Sequence, residues 1–207
     1  MRDKLRFSAS ILCLLATAIL LTIYLAWLFY PLEISYFALP DKVHLKAETI
    51  RYNFNILMNY LTNPFSQKLA MPDFRSSVAG LHHFQAVKYL FHLAQVVFVL
   101  TLPAFIFFIQ KVIKKGFLAL YQRSLFILSV LPFVMICLAG LIGFNSFFTL
   151  FHQVLFVGDN TWLFDPAKDP VIWILPEEFF MHAFILFALL YEGIFLSLYF
   201  FSKKTRG

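Results

Sequence analysis

Four apolar runs, each about the 20 residues a helix needs to cross a bilayer, constrain this chain more than anything else in it. They cover about Phe7–Tyr30, Tyr89–Gln110, Ser124–Gly143 and Phe179–Phe201. In hydrocarbon no water satisfies the backbone N–H and C=O groups, so runs of this kind must be helical. The expected fold class is all-α and integral to a membrane. The first run exceeds the 7–15 residues of a signal-peptide apolar core, and no small-x-small cleavage site follows it, so it reads as an anchor. Charged residues make up 14% of the chain against roughly 25% in soluble domains, which excludes a water-soluble globule.

Placement of charge sets the orientation. Arg2, Lys4, Arg6, Lys111, Lys114, Lys115, Arg123, Lys203, Lys204 and Arg206 lie at the termini or between the second and third runs, opposed there only by Asp3. The other two connections, 31–88 and 144–178, hold seven cations against nine acids. The positive-inside rule then puts both termini in the cytoplasm and these two loops outside. The net charge of +6 reads as anchoring against anionic lipid. No basic patch is interleaved with stacking aromatics in a soluble stretch, so membrane lipid is an expected partner and nucleic acid is not. Cys13 and Cys137 differ in depth by much of the bilayer, too far for a disulfide, and neither sits in a metal-ligand spacing. The expected organisation is one membrane domain, 1–207, with an extracellular cap built from the two outer loops and including short interfacial helices.

Within the first loop, Pro31 is expected to stop the first helix. Glu48–Thr62 then repeats apolar residues at helical spacing (Ile50, Phe54, Leu57 or Met58, Leu61) and ends at Asn63-Pro64. Met71–Gly80 reads as irregular. The chain re-enters the membrane at 80–91, GLHHFQAVKYLF, where adjacent His82 and His83 point about 100° apart on a helix and Lys88 is placed to snorkel. Pro103 and Pro132 fall inside the second and third runs, where membrane helices tolerate them. The second loop is too long for a mere connector. Its first part sets Phe144, Phe147, Phe148, Phe151 and Leu155 on one helical face and Asn145, Thr149, His152 and Gln153 on another, so His152 reads as part of a water-facing stripe. A turn at Gly158-Asp159-Asn160 follows, then Trp162, Asp165-Pro166 and Asp169-Pro170, whose acids read first as solvated turn residues. Glu192, inside the fourth run, is costly in lipid and is expected to face the bundle, protonated or paired.

The sequence carries no GxSxG, HExxH, GxxxxGK[ST] or dinucleotide glycine motif. What remains for chemistry is a set of outer histidines, acids and aromatics. These residues alone leave three readings open: a transferase, a membrane ligand-binding, sensing or transport module, and a haem protein using His92 and His182. The last predicts a Soret band. The transport reading expects polar residues along the helices, and the first three runs hold few.

The segments LHHFQAVKYLF and FNSFFTLFHQVLFVGDNTWLFDPAKDPVIWILPEEFF, with YNFNILMNYL and LAMPDF in the first loop, resemble the bacterial lipoprotein intramolecular transacylases. The likeness runs from the first apolar segment to the fourth. It implies four membrane helices under an extracellular cap in the bacterial plasma membrane, with two catalytic histidines matching His83 and His152. It implies no cofactor and no metal, and the chain is expected to act as a monomer. Where the family pattern carries Asp-Val this chain has Ala86-Val87, so the resemblance supplies no acid there to orient His83.

The implied substrate is a lipoprotein whose N-terminal cysteine bears a thioether-linked diacylglyceryl group. The acyl chain at the glycerol 2-position moves to the cysteine α-amine, leaving a lyso-form lipoprotein. The nucleophile is the substrate's own amine, so no protein nucleophile and no acyl-enzyme is needed. That amine, with a pKa of about 7.7–8.0, is mostly protonated at neutral pH, and histidine is the side chain best matched to relieve it of a proton. A second histidine suits protonation of the departing alkoxide. Closing the medium-sized ring of the tetrahedral intermediate is entropically poor, and a pocket that fixes the conformer would supply much of the acceleration. Asn145 or Trp162 is expected to donate to the oxyanion, Asp165 or Asp169 to orient a histidine, and Lys88 to border the pocket.

Overall fold

A computed structural model describes residues 2–204. Arg206, one of the terminal cations placed above, lies outside them, as do the side chains of Arg2 and Asp3. The described chain is helical, with no strand among the described residues. Its elements are α1 (Arg2–Tyr36), α2 (Leu39–Val43), α3 (Ala47–Thr62), α4 (Val78–Phe108), α5 (Gln122–Ile142), α6 (Phe144–Leu155) and α7 (Glu177–Lys204). A π-helical turn at Ile109–Ile113 and 3₁₀ turns at Phe117–Tyr121 and Pro170–Ile174 fill the connections. Four of the helices are long and apolar enough to cross a membrane. Much of their apolar surface is left open, Val99, Leu100, Leu131, Ile136 and Leu189 among it. In water such a surface would drive association; hydrocarbon covers it.

Two boundaries differ from expectation. Pro31 does not stop α1, which continues to Tyr36. Proline removes only the bond to the carbonyl one turn earlier, and packing holds both sides of the gap. Tyr30 is buried, stacks on Phe54 and donates its hydroxyl hydrogen to the Ile174 carbonyl at 2.6 Å, while the Trp27 indole donates to Asn55 at 2.7 Å. Likewise α4 begins at Val78, well before the apolar run, so His82, His83 and Lys88 ride on the helix itself. Gly143, at φ 80°, separates α5 from α6 in a conformation that L residues avoid.

The chain groups into two compact units. One comprises residues 1–22, 94–144 and 184–207. Its core is Leu14, Ala18, Phe108, Leu118, Leu125, Tyr191 and Phe195. Tyr191 donates to the Leu128 carbonyl at 3.1 Å, and the Arg6 guanidinium lies 4.1 Å over the Phe107 ring. Glu192 belongs here; both its carboxylate oxygens are shut off from solvent with no hydrogen-bond partner among the described residues. Of the two expectations for it, pairing is not met among the described residues. Cys13 and Cys137 are free.

The other unit comprises 23–93 and 145–183. Here α3 buries the stripe read from the sequence, with Ile50, Phe54, Leu57 and Leu61 all inside. Its Asn53, fully buried, donates to Asp73 at 2.7 Å and accepts from the Asp73 N–H, fixing the irregular 63–77 stretch against the helix. His182 pairs with Glu33 at 2.9 Å and stacks on Phe37, so it ties the start of α7 to the end of α1.

Candidate active site

The site forms within the second unit, between α4, α6 and the 156–169 loop. The first turn of α4 is capped by Ser77, whose hydroxyl oxygen accepts the Gly80 N–H at 2.9 Å. Asp169 closes this cap from the loop side. One carboxylate oxygen accepts the Ser77 N–H and the other its hydroxyl hydrogen, both at 2.7 Å. Arg75 donates to the Ala167 carbonyl at 2.5 Å. The loop is thereby stapled to the start of α4, one turn before His83.

His83 and His152 are brought together, their ring centroids 5.7 Å apart, and both are closed off from solvent at 7% and 8% exposure. Phe156 sets its edge against His83 at 4.9 Å and also neighbours His152. Phe164 packs on His83 and Phe84 together. Trp162 stacks on His152 at 4.7 Å, and Phe148 meets the other ring edge at 4.3 Å. The result is an aromatic box around two imidazoles.

Hydrogen bonding fixes which nitrogen of His152 is basic. Nδ1 lies 2.8 Å from the Phe148 carbonyl, an oxygen that can only accept, so Nδ1 carries the hydrogen. In the neutral ring Nε2 then holds the lone pair. Burial holds the imidazolium of His152 below the usual histidine range, and the bond to Phe148 offsets only part of that. Two further polar atoms in the box, Trp162 Nε1 and His83 Nδ1, are buried without a hydrogen-bond partner among the described residues. A buried donor or acceptor left unmet costs about 1–3 kcal/mol. Ligand groups that arrive there would recover that cost.

Several expected site residues lie elsewhere. The water-facing stripe is corrected at His152, which turns inward because the following loop folds over it. Asn145 donates to Glu177 at 2.8 Å in an exposed tie between α6 and α7, not to the histidine pair. Asp165 is an exposed turn residue whose carboxyl is held low chiefly by the Ala167 N–H. Asp169, read as solvated, is 3% exposed, and it caps α4 and touches no histidine. Lys88 is buried instead of snorkelling: its ammonium bonds the Ser66 carbonyl and lies 4.4 Å over Tyr60. His82 faces away from its neighbour, pairing with Asp159 at 3.3 Å. The Thr161 N–H and hydroxyl hold that carboxyl below its usual range. Sequence reasoning did not single out Phe84, Phe156, Phe164 or Ser77 for the site; only the Gly158-Asp159-Asn160 turn signalled that the chain doubles back there. Among the described residues no three His, Cys, Asp or Glu side chains gather as metal ligands.

Residues 5–180 match the family described as lipoprotein intramolecular transacylase Lit. The chain belongs to that family. Among solved structures it is similar to the Bacillus cereus membrane integral lipoprotein intramolecular transacylase Lit, with 30% identity and a TM-score of 0.84 over 99% of this chain and 98% of that one. Two variants of the same B. cereus protein, one with a histidine replaced by arginine and one by alanine, match at 26% identity with TM-scores of 0.73 and 0.71. Each match covers 99% of this chain, and 93% and 95% of the respective variants. No curated protein matches. Membership makes the chain a multi-pass membrane acyltransferase, and the all-helical fold with four membrane helices agrees with it.

Proposed function

We propose that this protein is a lipoprotein intramolecular transacylase of the outer face of the bacterial plasma membrane. It takes the acyl chain from the glycerol 2-position of an S-diacylglyceryl cysteine and places it on that cysteine's own α-amine. The observation that carries this reading is the pair of buried histidines in one aromatic box, on a chain of the transacylase family.

His152 suits the base. Its Nε2 lone pair is free by the bond at Nδ1, and its lowered pKa keeps it unprotonated at neutral pH. It removes the proton that the α-amine must lose as nitrogen bonds to the acyl carbon. The Trp162 N–H, unpartnered beside His152, suits the oxyanion that forms on the former carbonyl. As the tetrahedral intermediate collapses, the bond from acyl carbon to glycerol oxygen breaks, and that oxygen takes up, through His83 in the acid role, the proton that His152 removed from the amine, so both rings return to their neutral forms. Amine loses one proton and alkoxide gains one, so the cycle closes with no covalent enzyme intermediate. Phe148, Phe156 and Phe164 exclude water, which favours transfer to nitrogen over hydrolysis. All these groups come from one chain, consistent with a monomer as the working unit.

The test is mass spectrometry of a lipoprotein's N-terminal peptide, from cells that express this chain and otherwise leave the diacylglyceryl cysteine unacylated. Transfer leaves the total mass unchanged, so fragmentation must locate the chain on nitrogen or glycerol. The expected product with wild type is N-acyl, mono-acylglyceryl cysteine, lost in His83→Ala and His152→Ala at matched expression. A free α-amine in the presence of folded wild-type protein would remove the basis for the reading.

A further inference from the structure

A cavity of about 260 Å³ opens between α1 and α3, and none of the residues of the histidine box lines it. From α1 it is walled by Tyr24, Trp27, Leu28 and Pro31, and from α3 by Arg51 and Asn55. Those positions follow helical spacing on both elements, so one stripe of α1 looks onto one stripe of α3. Stacked Tyr30 and Phe54 form its floor. The bond from the Trp27 indole to Asn55 locks the indole as a rigid wall.

Two properties of this groove demand the same kind of ligand. Its walls are aromatic and aliphatic, and on its open side Tyr24 and Leu28 are 45% and 65% exposed on a helix apolar enough to cross a membrane. An acyl chain can enter there sideways from the bilayer. Its one charged lining residue is Arg51, which makes no ion pair among the described residues. A guanidinium prefers a two-pronged oxyanion partner such as a phosphate. At 260 Å³ the cavity is smaller than the roughly 300–1,000 Å³ of sites that swallow a whole small molecule, so it fits a headgroup and the first part of one chain.

We propose that this groove binds an anionic glycerophospholipid, with the phosphodiester on Arg51, the glycerol against Trp27 and Asn55, and one acyl chain over Tyr24 and Leu28. A diacylglyceryl cysteine has the chains but no phosphate, so Arg51 separates resident lipid from substrate. The bound lipid wedges α3 onto α1, two elements otherwise joined there through side chains.

The full chain, delipidated in detergent, is mixed with dioleoylphosphatidylglycerol, dioleoylglycerol or inorganic phosphate and examined by native mass spectrometry. Wild type should retain one phosphatidylglycerol and neither of the others. Arg51→Gln, at an exposed site, should hold it about tenfold more weakly, the loss of one charge-assisted contact. Leu28→Trp, which fills the groove, should weaken it as well. Transacylation in the same detergent should be unchanged in Arg51→Gln, which keeps this test separate from that of the histidine pair. Equal retention by wild type and Arg51→Gln overturns the proposal, as does equal retention of dioleoylglycerol. Displacement of the phospholipid by a synthetic diacylglyceryl-cysteine peptide overturns it too, because the groove would then be the substrate's.

Discussion

His152 gives its Nδ1 hydrogen to the Phe148 carbonyl one turn back on α6, and this contact decides its chemistry more than its neighbours do. Burial lowers its pKa from 6.5. A lowered pKa keeps the folded protein's ring neutral at pH 6.5, where a solvated histidine is half protonated, and protonation comes only on further acidification. Imidazole ¹³C and ¹⁵N spectra, with the signal assigned by its absence in His152→Gln, should show the Nδ1–H form predominating at pH 6.5; an equal imidazolium population there would contradict the assignment. Trp162 allows a sharper test, since phenylalanine keeps a ring on His152 and removes only the N–H. Trp162→Phe should lower kcat by roughly 10²-fold, the usual cost of one oxyanion donor, with KM little changed. An unchanged kcat would leave the indole a packing group. Trp162 was one of two oxyanion donors the sequence offered, but the buried setting of His152 was not legible there. The helical wheel of 144–155 sets His152 beside Thr149 and Gln153, and the wheel of one helix is silent about the loop that later covers it. Pairing of His83 with His152 came from family resemblance, because 68 residues of chain lie between them.

At the scale of elements, the helices were the legible part, since their signal is a local period. The stripe of α3 and the extent of α6 follow directly from the spacing of their apolar residues. Helix ends were less legible where the capping partner is remote in sequence: Ser77 reads as an ordinary loop serine until Asp169 is brought to it. That contact has a consequence at Gly80. Alanine normally stabilises a helix interior by about 1 kcal/mol over glycine. Here a Cβ at Gly80 would lie 2.2 Å from the Asp169 carboxylate, held in place by two hydrogen bonds. Gly80→Ala should therefore destabilise the protein, visible as a lower thermal midpoint in detergent, and pairing it with Asp169→Gly should restore part of the loss. A rise in midpoint for Gly80→Ala alone would mean that the clamp yields easily. Asp169→Ala should itself cost about 1–3 kcal/mol by stranding the Ser77 donors, and activity should fall with it, since the same loop carries Trp162 and Phe164.

For the whole molecule, the four apolar helices and the bias of cations predict a topology that no single contact reveals. Each apolar helix changes side, so an even number returns the chain to where it began. Lys111, Lys114, Lys115 and Arg123 join the second and third crossings, while 31–88 and 144–178 carry the excess of acids. Moving a cluster of lysines across the membrane against the potential is unfavourable, and cations near the ends of crossings set the orientation. The histidine box lies between the third and fourth apolar helices and at the start of the second, so the proposed orientation has it facing outward, where the proposed substrate's N-terminus is anchored. A chain with Cys137→Ser carries this to experiment, because its other cysteine, Cys13, is buried. In that background Val157→Cys, at a position 84% exposed in the second loop, should react with a membrane-impermeant maleimide in intact cells. Phe117→Cys, between the second and third crossings, should react only after permeabilisation. The reverse pattern would put the box in the cytoplasm, away from the lipidated cysteine, and the transacylase reading would then lose access to its substrate even with both histidines in place.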